Sequence, residues 1–306
     1  MTWRTPKYTG PERRKAERWR PQPLRVLLFL LAVVAMGYTV AVLSLVNQES
    51  TLVLEAGRTL GDARPAFPYT QIDVPRKDAA RQFGWVMTGP ADEGAWVLYL
   101  HGNASTIASP VNISHYREFR TIGLNVLAPE YRGFAGLDGT ATEAALDVDA
   151  RAAYEYLRAE RHVAPERVVI YGWSLGSAVA VDLATEVDHA AVILEGAPAS
   201  QAGLSRRRYP FFPVRLLMRN PFDSRSKIDR IHSPLLFLHG SDDEVVPMVE
   251  GRQLFDAART DKRFVAIHGN HVNLADADSH AFSNAIRRFL DDHGLLVSPA
   301  HAKSGT

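Results

Sequence analysis

The stretch VVIYGWSLGSAVAVDLATEV, residues 168–187, decides the fold. It opens on four apolar, sheet-forming residues and closes as an alanine- and valine-rich segment of helical character. Between them stands Gly172-Trp173-Ser174-Leu175-Gly176, a strand-to-helix turn with a serine at its apex. Such a turn is strained, and glycines on both flanks let the backbone close so that the hydroxyl stands above the sheet at a helix N-terminus. The pentapeptide pattern alone arises by chance in roughly one chain in ten of this length. Its place between a buried strand and a helix is what makes Ser174 the candidate nucleophile.

Outward from that turn, short apolar runs at 95–100, 124–128, 191–194, 235–238 and 264–267 alternate with amphipathic helical patterns at about 142–160, 175–187, 249–258 and 279–293. Strands that are continuously apolar belong to a sheet buried on both faces. The fold class is therefore α/β, a mostly parallel sheet with helices on both faces, whose ligands sit at the carboxyl ends of the strands. The segment 198–233 breaks the alternation with Tyr209-Pro210-Phe211-Phe212-Pro213 and a basic helical patch, and reads as a small lid insertion over the site.

A serine hydroxyl is a poor nucleophile until a base takes its proton, and in this kind of fold the acid and then the histidine follow the serine in chain order. Asp243, in His239-Gly240-Ser241-Asp242-Asp243, is the candidate acid, with Asp242 and Glu195 as rivals. His271, in His268-Gly269-Asn270-His271, is the candidate base; His268 reads as the end of a strand and His280 as the start of a helix. The developing oxyanion needs two donors, for which the amides of Leu175 and of Asn103, in His101-Gly102-Asn103-Ala104, are the candidates. A metal set drawn from His268, His271, Asp276, Asp278 and His280 matches no standard ligand spacing and leaves the serine turn unexplained, so neither metal nor organic cofactor is expected. Tyr131-Arg132-Gly133-Phe134 reads as a structural turn with a paired arginine, and Arg206, Arg207 and Arg208 as a solvated basic face.

The N-terminal fifth has a different character. Eight basic residues, Arg4 to Arg25, precede an uncharged run at 26–46 that is long enough to cross a bilayer as a helix. Basic residues before the span, and Asn47, Gln48 and Glu49 after it, place the N-terminus in the cytoplasm and the rest outside, at the periplasmic face of the inner membrane if the cell is bacterial. A cleaved signal peptide would have a shorter apolar region ending in small residues. The layout expected is a basic head at 1–25, a transmembrane helix at 26–46, a linker at 47–70, one catalytic domain at 71–293 and a flexible tail at 294–306. A net charge of +1 gives no field to gather nucleic acid, and the absence of cysteine excludes disulfides, thiolate catalysis and cysteine-bound metal.

Several of these motifs, in this order, resemble the Bem46-like branch of the α/β-hydrolases, which takes in serine hydrolases of the ABHD13 and ABHD17 type. The resemblance covers about 47–292 and is carried by Gln48-Glu49-Ser50, His101-Gly102-Asn103-Ala104, Tyr131-Arg132-Gly133-Phe134, the serine turn, Tyr209-Pro210, Phe222-Asp223-Ser224 and the Asp243 and His271 loops. It implies an α/β-hydrolase fold, a Ser174, Asp243, His271 triad, an N-terminal membrane anchor, and a small ester, thioester or other acyl substrate, lipid-like in keeping with the anchor. Asn270 and Val272 depart from the usual Gly-Gly-His-Asn-Asp form of the last loop, which bears on how that loop is held. A same-fold peptidase or amidase, acyl transfer to an alcohol, and a catalytically silent scaffold are the competing functions.

Overall fold

The computed structural model describes residues 1–3, 22–56, 61, 63–78, 80–89 and 94–296. Most of the expected basic head, part of the expected linker and the end of the expected tail lie outside these residues. The chain forms two units, Met1–Ser44 and Leu45–Thr306. The first holds most of helix α1, Pro23–Asn47, whose 25 residues carry a mean hydropathy of 2.7 over their most apolar window. At 1.5 Å per residue that is about 37 Å, more than the roughly 30 Å of a bilayer's hydrocarbon core.

The second unit is built on one eight-stranded sheet. Its strands are β1 (Thr70–Asp73), β2 (Phe83–Met87), β3 (Trp96–Leu100), β4 (Asn125–Pro129), β5 (Val168–Trp173), β6 (Ala191–Glu195), β7 (Leu235–Gly240) and β8 (Lys262–Ile267), in the order β1-β2-β4-β3-β5-β6-β7-β8. β2 runs antiparallel to both its neighbours; from β4 to β8 every pairing is parallel. Every residue of β2 through β7 is buried, and only the edge strands β1 and β8 carry exposed positions. This is why the central strands read as unbroken apolar runs: successive side chains feed two different cores.

On one face Trp96, Leu98, Ile170, Val192 and Phe237 pack under α3 (Glu143–Ala159), α4 (Leu175–Ala184) and α7 (Met248–Ala257). On the other Val97, Tyr99, Tyr171, Ile193 and Leu236 pack under α2 (Pro110–Ile122) and α9 (Ser279–Asp292), with the short α8 (Leu274–Ala277) beside them. The chain lays down β3 and β4, then crosses back to place β5 on the far side of β3, so the direction of winding reverses between β3 and β5. The crevice at the carboxyl ends of those two strands is the natural ligand position in such a sheet.

Between β6 and β7 the insertion folds as α5 (Gln201–Arg208), α6 (Val214–Leu217) and two 3-10 turns. The structure differs from the sequence expectation in several features, among them the strands β1 and β2, which precede the first expected strand. The first part of the stretch read as a linker is built into the domain: Ser50–Leu54 is a π-helical turn, Leu54 is fully buried in the core, and Glu49 is buried against the end of the insertion. Helix α2 has no counterpart in the apolar pattern, because Asn112, Ser114, His115 and Glu118 share its buried side with Tyr116 and Phe119.

One half-buried carboxyl gives the fold a pH dependence. Asp147 on α3 is pushed up to about 8, chiefly by burial and then by the charge of Asp182 on α4, against the opposing pull of Lys227. An acid raised in the folded state favours folding while it is protonated, so its contribution is whole at low pH and drains away as pH rises from its unfolded value toward 8. Asp147→Asn is expected to raise the melting temperature above wild type by a margin that widens between pH 5 and pH 9; a constant margin would show that Asp147 is not the group responsible.

Candidate active site

Ser174 closes the turn from β5 into α4 with φ 53° and ψ −120°, a conformation side-chain-bearing residues rarely adopt. The flanking glycines are needed for space. A Cβ on Gly172 would lie 2.3 Å from the carbonyl oxygen of Gly176, and one on Gly176 would lie 2.0 Å from that of Leu100. α4 is thus pressed onto the ends of β5 and β3, with the strain concentrated in the serine between them. The Ser174 amide donates to the Glu195 carbonyl at 2.8 Å, tying the turn to β6.

Three elements converge on the hydroxyl. His271, in the loop after β8, brings Nε2 to 2.8 Å from Ser174 Oγ and Nδ1 to 2.7 Å from Asp243 Oδ2. A carboxylate only accepts, so Nδ1 carries the hydrogen and Nε2 is left to accept from the serine. The other carboxylate oxygen of Asp243 accepts the amides of Val245 at 3.0 Å and Val246 at 2.8 Å, which fixes the acid in place. Nearby His239 donates Nε2–H to the Val246 carbonyl at 2.8 Å, and burial pushes its pKa down, so it stays neutral and leaves the charge of Asp243 to His271.

The loop after β3 lies against the serine: a Cβ on Gly102 would stand 3.2 Å from Ser174 Cβ and 3.0 Å from the Trp173 ring. Its peptide is oriented by a buried polar cluster. The Gly102 carbonyl accepts from His101 Nδ1 at 2.8 Å and from Ser105 Oγ at 3.0 Å, while His101 Nε2 meets Glu130 at 2.9 Å. In a trans peptide the next N–H points opposite to the carbonyl, so the Asn103 amide is directed away from this cluster. The Asn103 side chain is bound elsewhere, to the Val53 carbonyl at 3.1 Å. Leu175 is the first residue of α4, where an amide has no acceptor within its own helix.

The structure thus brings Ser174, His271 and Asp243 into one hydrogen-bonded row, with the Asn103 loop and Leu175 beside the serine. The rivals stand apart. Asp242 is largely exposed and meets exposed His268 at 3.3 Å; His280 is exposed on α9. Asp276 pairs with Arg117 and Asp278 caps α9. Glu195 is buried with His115 at 2.9 Å. Arg132 is paired with Asp149 at 2.7 Å.

Three supporting residues carry no signal of their own in the sequence. Trp173 donates its indole N–H to the His271 carbonyl at 3.1 Å, and Gly196, at φ 53°, has His271 Cε1 within 3.1 Å of where a Cβ would stand. His239 is the third. The departure at Asn270 and Val272 is resolved locally: Asn270 Oδ1 accepts the Val272 amide at 3.0 Å, and Asn273 Oδ1 accepts the Asn270 amide at 2.7 Å. Because the atoms nearest a Cβ on Gly176 are backbone atoms of Leu100 and His101, Gly176→Ala is expected to cost about 3 kcal/mol or more of stability, read by chemical denaturation. An unchanged midpoint would refute the close approach of α4 to β3.

The fold recurs among known proteins. The model of the alpha/beta hydrolase family matches residues 97–279. An uncharacterized protein of Mycobacterium tuberculosis, Rv2307c, is 32% identical over 270 residues, which are 87% of this chain and 95% of that one. The human alpha/beta hydrolase domain-containing protein 17B is 32% identical over 169 residues, 52% of this chain and 54% of its own. The solved structure of the Pyrococcus furiosus esterase Pf2001 superposes with a TM-score of 0.65 at 18% identity, covering 78% of this chain and 96% of that one. With the family model spanning the sheet from β3 to the start of α9, and a relative matched over nearly its whole length, the chain belongs to the α/β-hydrolase family.

Proposed function

We propose that this hydrolase is a membrane-anchored serine esterase or thioesterase that works through an acyl-enzyme on Ser174. The observation that carries the reading is the row of contacts Asp243, His271, Ser174, at 2.7 and 2.8 Å, at the crevice where the sheet reverses its winding. In the first half-reaction His271 Nε2 takes the serine proton as Oγ bonds to the acyl carbon, and Asp243 stabilises the imidazolium. The carbonyl oxygen becomes an oxyanion that the Asn103 and Leu175 amides receive, the latter at the positive end of α4. His271 then protonates the departing alkoxide or thiolate as its bond to carbon breaks. In the second half-reaction a water, deprotonated by the same nitrogen, releases the acid and restores Ser174.

A hydrophobic acyl group is favoured by the mouth of the site. Val245 and Val272, each within two residues of a triad member, are 58% and 53% exposed. Apolar side chains held open beside a polar row suit a substrate that is apolar at one end. α1 supplies the anchor, with the basic N-terminus cytoplasmic and the catalytic domain on the other side of the membrane.

With the full-length protein and a series of ester and thioester substrates, Ser174→Ala and His271→Ala should abolish turnover, and Asp243→Asn should lower kcat by about ten-thousandfold. Preference for an aminoacyl amide over its matched ester would make the chain a peptidase, and full turnover by Ser174→Ala would end the reading. For the anchor, a tag after Thr306 should react with a membrane-impermeant reagent on intact cells while a tag at Met1 stays protected; the reverse pattern would overturn the orientation.

A further inference from the structure

Among the described residues of the unit Leu45–Thr306, the two most exposed large apolar side chains both lie on the insertion between β6 and β7. Phe211 is 85% and Leu216 84% exposed, far above Val245 at 58%. Around them Arg206, Arg208 and Arg215 are exposed, and none of the three has a carboxylate partner among the described residues; Arg207 is held by Glu250 at 3.1 Å. Three arginines at the end of α5 complement that helix's dipole, which accounts for some of the charge, but Arg215 lies on the separate turn α6. Exposed apolar anchors rimmed by unpaired cations are the composition of a surface that lies on anionic headgroups.

A second observation says which surface meets it. Glu49, two residues past the end of α1, is buried, and its carboxylate accepts the amides of Arg219 at 2.9 Å and Asn220 at 2.7 Å, with Asn220 Nδ2 at 3.2 Å. The chain leaving α1 is therefore pinned to the end of the insertion. From Asn47 through Glu49 and across to Leu216 the path cannot exceed about 25 Å. That tether is short enough for the patch to reach the surface of a bilayer that α1 leaves.

We propose that 206–219 is an interfacial foot that docks on anionic phospholipid headgroups, with Phe211 and Leu216 entering the boundary between headgroups and acyl chains and Arg206, Arg208 and Arg215 pairing with phosphate. The proposal rests on the reading of α1 as a membrane span. Since the insertion starts at the carboxyl end of β6, the same end of the sheet as Ser174, docking would bring bilayer-borne acyl chains to the end of the sheet that carries the nucleophile.

The chain has no cysteine, so single probes are clean. The full-length protein, carrying an environment-sensitive fluorophore at Leu216→Cys, is placed in nanodiscs of phosphatidylcholine with or without phosphatidylglycerol, with spin-labelled lipid as quencher. Matched samples carry the probe at Met36→Cys in α1 and at Val148→Cys on α3. The expected result is lipid quenching at 216 and 36 but not at 148, stronger at 216 in anionic discs. Replacing Arg206, Arg208 and Arg215 by Gln should lower the docked-to-undocked ratio at least about tenfold. Quenching at 36 without quenching at 216 overturns the foot. Quenching at 216 without quenching at 36 sustains the foot as a peripheral contact while the span reading falls, and loss of both defeats both. Equal quenching at 216 in neutral and anionic discs, unmoved by the arginine changes, overturns the headgroup pairing.

Discussion

Ser174 sits in a backbone conformation worth about 1–3 kcal/mol of strain, and β5 and α4 hold it there from both sides. That constraint organises the rest of the site. Both flanking positions must be glycine because α4 lies too close to the strand ends for any side chain. The cost is met by the burial of every residue of β5 and of α4. In return the hydroxyl stands clear of the sheet beside the His271 ring, and the first free amide of α4 falls next to it.

Around this point the fold uses a repeated device: a histidine and a carboxylate buried together near the carboxyl ends of strands. Asp243 with His271 faces the serine. Glu130 with His101 sets the peptide before Asn103, and Glu195 with His115 lies under the strand end whose carbonyl holds the Ser174 amide. A buried charge is tolerable only when paired and hydrogen-bonded, so each pair is locked in orientation, and so are the loops that it touches. His239, whose Nε2 lies 3.7 Å from Asp243 Oδ2, is held neutral by burial and so adds no second cation there, and Gly196 leaves room for the His271 ring.

Much of this was legible in the sequence because the physics is local. The strand-turn-helix around Ser174, the chain order of Asp243 and His271, and the central strands each declare themselves within about ten residues. What escaped was set by partners distant in the chain. Helix α2 buries polar residues that face His115's and Tyr99's network, so its apolar period is faint, although Ser109, Pro110 and Gly123 mark its two ends in the manner of ordinary helix caps. β2 is short, and beside β1 it pairs with β4 rather than with β3, the strand that follows it in sequence. Residues 49–54 read as a linker because their hydrogen bonds go to Asn103, Ala104, Arg219 and Asn220, far along the chain. Trp173 and Gly196 matter only through contact with the His271 loop, which no spacing announces.

The central claim is that Ser174 is an activated nucleophile. It is tested most directly by treating the folded full-length protein with a fluorophosphonate and mapping the adduct by mass spectrometry. A single adduct on the peptide containing Ser174, absent when His271 is replaced by Ala, is the predicted result; a folded protein that takes up no label, or that takes it up on another residue, contradicts the account.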